Sequence, residues 1–351
     1  MEKNENIEMI TGDPKKAINK LSVPIIASMF LIFANNIIDS IWVAGLGAEP
    51  LAALGYITPL FMVLIGIGNG IGAGGNSLIS RYIGAENRNS ANNAAIHNLI
   101  LGIILSIVVS IILLTFLKPL LNIMGASSVL DYAMQYGTII FAFSFAMLLP
   151  PIFGGAFRAG GDVKRATLPI AITAVVNMVI DPIFIYTLNL GVAGAAWATV
   201  LAHILSIAAM LYWMLIKKDT YLKYGREYFH NNLSMYKDIL VVGIPASLEQ
   251  LILSALTIVV NFMLTLVSGP VAVAVYTAGW RIINLGMLPA IGVGTASISV
   301  AGVAFGARKY ENLRVTARYA VKIALAASII VCIILIIFSN QIALIFSYSE
   351  S

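Results

Sequence analysis

Nine mostly apolar stretches, each closed by a short polar loop, recur along this chain and constrain its fold more than any other feature. A bilayer core about 30 Å thick takes roughly 20 apolar residues per helix. Within lipid, only helices and closed barrels satisfy every backbone N–H and C=O. The expected spans are 21–45, 51–80, 92–116, 130–157, 166–187, 192–216, 238–267, 271–304 and 315–338. The longer ones must tilt, bend at Gly or Pro, or extend past the hydrocarbon. With 60% hydrophobic and 11% charged residues, the composition excludes a soluble domain. The single cysteine, Cys332, sits in an apolar run and offers no disulfide, thiol or zinc chemistry. No cleavable signal peptide is expected, because about 20 polar residues precede the first apolar run and more spans follow it.

A net charge of +5 would suit a nucleic-acid partner, but its placement argues against one. Of the 21 Lys and Arg residues, all but Lys118 and Arg281 fall in the N-terminal tail or near the loops after the second, fourth, sixth and eighth spans. By the positive-inside rule that side is cytoplasmic. The expectation is a multi-pass inner-membrane protein with a cytoplasmic N-terminus, lipid around it and no nucleic-acid partner. Residues 217–237 form the longest polar stretch between spans and read as an interfacial linker between two bundles.

Sliding the sequence on itself exposes a repeat. Pro24 meets Pro245 at a shift of 221, and Pro50, Ala52 and Tyr56 meet Pro270, Ala272 and Tyr276 at 220. At 222, Gly70, Gly72, Ser77, Gly84 and Ala85 meet Gly292, Gly294, Ser299, Gly306 and Ala307. Six spans per copy insert both copies the same way round, related by an axis along the membrane normal. The expected fold is an all-α polytopic bundle: tail 1–20, six-helix bundle 21–216, linker 217–237, and 238–351 as the first three spans of a second six-helix bundle. That organisation implies twelve spans, with about a hundred residues of the second bundle wanting.

Ionisable groups inside spans cost several kcal/mol unless paired, hydrated or facing a cavity. Asp39, Asp181, Glu249 and Arg281 are such groups. The first and fifth spans both run outward and carry Asp39 and Asp181 toward their outer ends, while the sixth returns with Thr199 at similar depth. Each acid has an Asn one turn earlier, Asn35 and Asn177, so oxygen ligands point into the first bundle. Carboxylates, amides and a hydroxyl suit a small hard cation or a shared proton, not a transition metal. Glu249 lies near the midplane as a second coupling or substrate-contact position, with Arg281 a possible partner. The glycines from Gly66 to Gly75 favour close packing or bending, and no Lys-Ser/Thr follows to make a phosphate loop.

The run Asn35-Asn36-Ile-Ile-Asp39 after Pro24 resembles the multidrug and toxic compound extrusion (MATE) family of the MOP flippase superfamily. So do Gly154-Gly-Ala-Phe-Arg-Ala-Gly-Gly-Asp162, Asn177-Met-Val-Ile-Asp-Pro182 and Gly191-Val-Ala-Gly-Ala-Ala-Trp-Ala-Thr199. The pattern is nearest the DinF-like and archaeal branch, whereas Glu249 matches an acidic position of another branch. The resemblance implies a cation or proton site at Asp39, Asn177, Asp181 and Thr199, flanked by Asn35 and Asn36, with Pro24 as a hinge in the first span. It implies a non-enzymatic monomer with no cofactor beyond Na+ or H+ as coupling ion. Such a protein exports amphipathic, often cationic, compounds by antiport through alternating access. The alternative is a lipid-linked oligosaccharide or polyprenyl-lipid flippase of the same superfamily, which usually lines its cavity with more cations than Arg281 alone.

Overall fold

The computed structural model describes residues 5–338, apart from a set of side chains between residues 254 and 282. Every regular element among them is helical. They are α1 (Glu5–Thr11), α2 (Pro14–Ala44), α3 (Ala48–Gly84), α4 (Arg88–Ile123), α5 (Leu130–Ala142), α6 (Ser144–Ala159), α7 (Val163–Pro182), α8 (Gly191–Leu211), α9 (Leu233–Gly306) and α10 (Tyr310–Ile337). Seven helices among the described residues are long and apolar enough to cross a membrane, or eight when α5 and α6, bent by 47° about Phe143, count as one span. Side-chain caps mark several starts: Asp13, Asn87, Asp162 and Asn232 each accept from a backbone N–H of the first turn.

The expected break between the seventh and eighth spans is absent, because α9 is helical through all 74 residues. A straight helix of that length would span about 110 Å. Yet its start at Ile239 packs on Gly74 of α3, and its end at Val303 packs on Gly84 of the same helix. The chain therefore reverses direction within α9, and among the described residues Ile283–Gly306 of the returning arm is long and apolar enough to cross a membrane.

Gly66, Gly70 and Gly74 share one face of α3 and meet Gln250, Ser247 and Ile239 of α9. Gly68 and Gly72 meet Leu148 and Pro151 of α6, and Gly75 meets Asn98 of α4. Omitting Cβ on both faces lets backbones approach closely, the packing route open to helices in lipid, where apolar burial between helices gains little.

Two of the contacts between the halves are reciprocal under the repeat. Gly84 abuts Val303 while Gly306 abuts Arg81, and the counterparts Gly84 with Gly306 and Arg81 with Val303 are each 222 apart. Gly70 abuts Ser247 while Gly292 abuts Ile26, its counterparts at shifts of 222 and 221. Glu86 and Arg308, again 222 apart, both turn the chain through positive φ, 58° and 57°. A two-fold axis between the halves requires this reciprocity. These contacts lie on the halves of α2 and α3 nearest the basic tail and loops, hereafter the basic end.

The linker is strapped to α4. Asn93 donates from Nδ2 to the His230 carbonyl (2.9 Å) and accepts the His230 N–H (3.1 Å), Asn92 accepts the Lys223 N–H (3.0 Å), and His97 Nε2 accepts the Asn232 N–H (3.1 Å). Arg88 donates to the Tyr221 carbonyl and covers the Tyr221 ring. Asp219 joins Arg165 (2.6 Å) and Lys217 (3.0 Å). Its slight burial pushes its pKa up, but the Lys217 hydrogen bond and the two positive charges outweigh that and hold it below the usual carboxylate value.

A methyl on Gly84 would run into the Val303 carbonyl, whereas one on Gly55 meets nothing within 4 Å. Gly84→Ala is therefore expected to destabilise the protein by about 1–3 kcal/mol, as overpacking does. Gly55→Ala should leave stability unchanged or slightly raised. Thermal unfolding in detergent checks both.

Candidate functional site

The site sits where α2, α5, α7 and α8 converge. α7 ends at Asp181-Pro182, and the helix continues as a wider π turn over Ile183–Thr187. Pro182 has no N–H to give the Met178 carbonyl and its ring crowds that turn, a local reason for the α-ladder to give way there. The π turn carries Tyr186 against α2, where its hydroxyl donates to the Trp42 carbonyl and its ring meets the Trp42 indole edge-on, with centroids 6.3 Å apart.

A chain of side-chain hydrogen bonds runs across the helices. Asn35 Nδ2 donates to Asn177 Oδ1 (3.1 Å), and Asn177 Nδ2 donates to Asp181 Oδ1 (3.0 Å). Asp39 on α2 and Asp181 on α7 stand close enough for their carboxyl groups to interact. Asp181 is fully buried and Asn177 is 3% exposed. On the far side, the Thr199 hydroxyl donates to the Ala195 carbonyl (3.0 Å), and His203 Nδ1 lies 2.9 Å from the Thr199 carbonyl.

The structure therefore brings Asn35, Asp39, Asn177 and Asp181 into one group with Thr199 close by. Asn36 turns outward, exposed, its carbonyl taken by Ser40. Glu249 is exposed on α9 and makes none of the contacts that join this group. The side chain of Arg281 lies outside the described residues. α2 runs unbroken through Pro24.

Sequence reasoning missed Tyr136. This α5 residue is 8% exposed, lies within hydrogen-bonding reach of Thr199, and stands in the field of both Asp39 and Asp181. The one available signal was its phenolic hydroxyl at a buried position of an apolar span, which needs a partner.

Three oxygens here, Asp39 Oδ1, Asp181 Oδ2 and Asn35 Oδ1, are buried without a hydrogen-bond partner. Orphaned buried acceptors are costly, and clustered ones offer hard ligands to a small cation or a place for a proton. No group of three or more His, Cys, Asp or Glu able to hold a metal occurs among the described residues.

The MatE family model matches residues 24–183 and 245–351. The chain is 25% identical over 340 residues to the probable multidrug resistance protein YoeA of Bacillus subtilis, covering 94% of this chain and 73% of that protein. It is 23% identical over 342 residues to an FAD transporter of Shewanella oneidensis, covering 95% and 74%. A solved structure described as the outward-facing conformation of a multidrug resistance MATE family transporter of the MOP superfamily superposes with a TM-score of 0.96 at 39% identity, covering all of this chain and 78% of that one. The extent of the family match and of that superposition shows that this chain belongs to the MATE family of membrane transporters.

Proposed function

We propose that this protein exports amphipathic, often cationic, compounds by antiport with Na+ or H+, working as a monomer whose two bundles alternate in access. The observation that carries the coupling is the pair of carboxyl groups at Asp39 and Asp181 with their partnerless oxygens. Two bare carboxylates side by side in a water-poor bundle repel, so a proton or a small cation must stand between them. Asn177 fixes the Asp181 carboxyl, Asn35 fixes Asn177, and Thr199 with Tyr136 supplies neutral oxygens on the other side. The coupling ion is cargo, held while one face is open and released when the other opens. It moves substrate only if ion and substrate prefer different states of the protein or compete for one.

The fold supports the alternation. The close glycine contacts between α9 and the first bundle lie mostly on the basic halves of α2 and α3, which fits a state shut at the basic end, and that end is cytoplasmic by the positive-inside rule. Pro24 sits inside α2, the helix that bears Asn35 and Asp39. By withholding an N–H from the carbonyl of Lys20, it weakens the turn at which α2 would bend as the site changes state. The FAD transporter among the relatives favours a second reading, export of a large anionic nucleotide cofactor. Assaying FAD efflux beside ethidium efflux separates the two.

Asp39→Asn and Asp181→Asn are each expected to lower gradient-driven ethidium efflux by about tenfold or more with the protein still in the membrane. The double variant should be little worse than either, because groups that act as a unit are non-additive. Efflux at the parent rate in both single variants would remove the pair from coupling. Pro24→Ala is expected to slow efflux severalfold at unchanged expression, and unchanged efflux would remove its hinge role.

A further inference from the structure

Where α3 crosses the returning arm of α9, one buried polar group joins the two halves. Asn76 Oδ1 accepts a hydrogen bond from Ser80, one turn along its own helix (3.0 Å), and another from Ser299 of α9 (3.0 Å). All three residues are fully buried. The other end of the same amide, Asn76 Nδ2, is buried with no partner. An amide left half-satisfied costs free energy that apolar packing would avoid, and nothing in a permanent helix contact calls for it.

The same seam is open to water further toward the loops. A cleft of about 460 Å³ opens at the basic end, walled on one side by Ile83, Gly84 and Glu86 and on the other by Val300, Val303 and Arg308. Val300 is the residue after Ser299, and Val303 is the one on which Gly84 rests. Separation of the halves along this cleft would break the Ser299 bond while giving water to both ends of the Asn76 amide. The energetic cost of the lost bond is then offset by hydration of the orphaned N–H.

We propose that Asn76 and Ser299 form the gate of the basic end, a positioning pair whose buried hydrogen bond across the seam, beside the exposed one from Asn19 to Tyr319, helps hold that end shut and is exchanged for water each time it opens. This rests on the alternating-access reading above. The orphaned Nδ2 makes the closed state no tighter than a cycling transporter needs, and the glycine contacts on either side let the surfaces part without disengaging large side chains.

Ala296, fully buried one turn from Ser299, can report the opening. In a Cys332→Ala background, Ala296→Cys is exposed to a hydrophilic maleimide applied to the basic face of inverted membrane vesicles, with ethidium transport measured in parallel. Ser299→Ala removes the bond that crosses the seam and is expected to raise the labelling rate about fivefold, the scale of one net hydrogen bond. Ser80→Ala removes a bond within one helix and should leave the rate within about twofold, whereas general loosening of the crossing would raise both. Asn76→Ala is expected to act like Ser299→Ala and gives the answer if the latter fails to reach the membrane. Equal rates in the parent, Ser299→Ala and Asn76→Ala would overturn the gate. A parent that transports ethidium with Ala296→Cys never labelled would instead overturn alternating access at this end.

Discussion

Two carboxyl groups held side by side inside a helical bundle are the constraint around which the rest of this chain is arranged. Asp39 and Asp181 come from different helices and meet only because α2, α7 and α8 pack together at that depth. Left bare, the pair would repel strongly in a medium of low polarity. Asn35 and Asn177 fix its orientation without neutralising it, and the wider turn after Pro182 ties α7 back to α2 through Tyr186 and Trp42. A site built this way is unfinished without a proton or cation, and it can therefore respond to one.

The second constraint is that helices in lipid gain little from apolar burial against each other. The halves of this protein meet instead at glycines, twice over and reciprocally: against backbone at Gly84 with Val303 and Gly306 with Arg81, then chiefly against side chains at Gly70 with Ser247 and Gly292 with Ile26. Between them lies one buried amide with half of its hydrogen-bonding capacity used. Close approach and an unsatisfied donor suit a contact that is remade, as the proposed gate requires.

Much of this was legible in the sequence, for identifiable reasons. Spans announce themselves because the hydrocarbon sets their length, and the 222-residue register between Gly84 and Gly306 reappears as a physical contact pattern. Asp39 with Asn35 and Asp181 with Asn177 could be placed on helix faces by spacing alone. Tyr136 could not, because a lone tyrosine in an apolar span looks like an interfacial aromatic until a neighbouring helix supplies its partner. The continuity of α9 was hidden for a related reason: the break expected before residue 271 is an expectation about loops, whereas the chain keeps helical geometry from Leu233 to Gly306. Glu249 was singled out for its charge, and it stands exposed on α9 apart from the Asp39–Asp181 group.

The most direct measurement of the coupling claim is the count of ions leaving the purified protein when drug is added, followed as proton release in lightly buffered solution and as displacement of labelled sodium. Coupling between two ligands is reciprocal, so a drug that favours one state must lower the affinity of an ion that favours the other. The expected result is release of about one ion per drug bound, lost in Asp181→Asn while drug still binds. Drug binding that displaces neither ion from the parent protein, or displacement that persists unchanged in Asp181→Asn, would contradict the assignment of the Asp39–Asp181 pair as the coupling site.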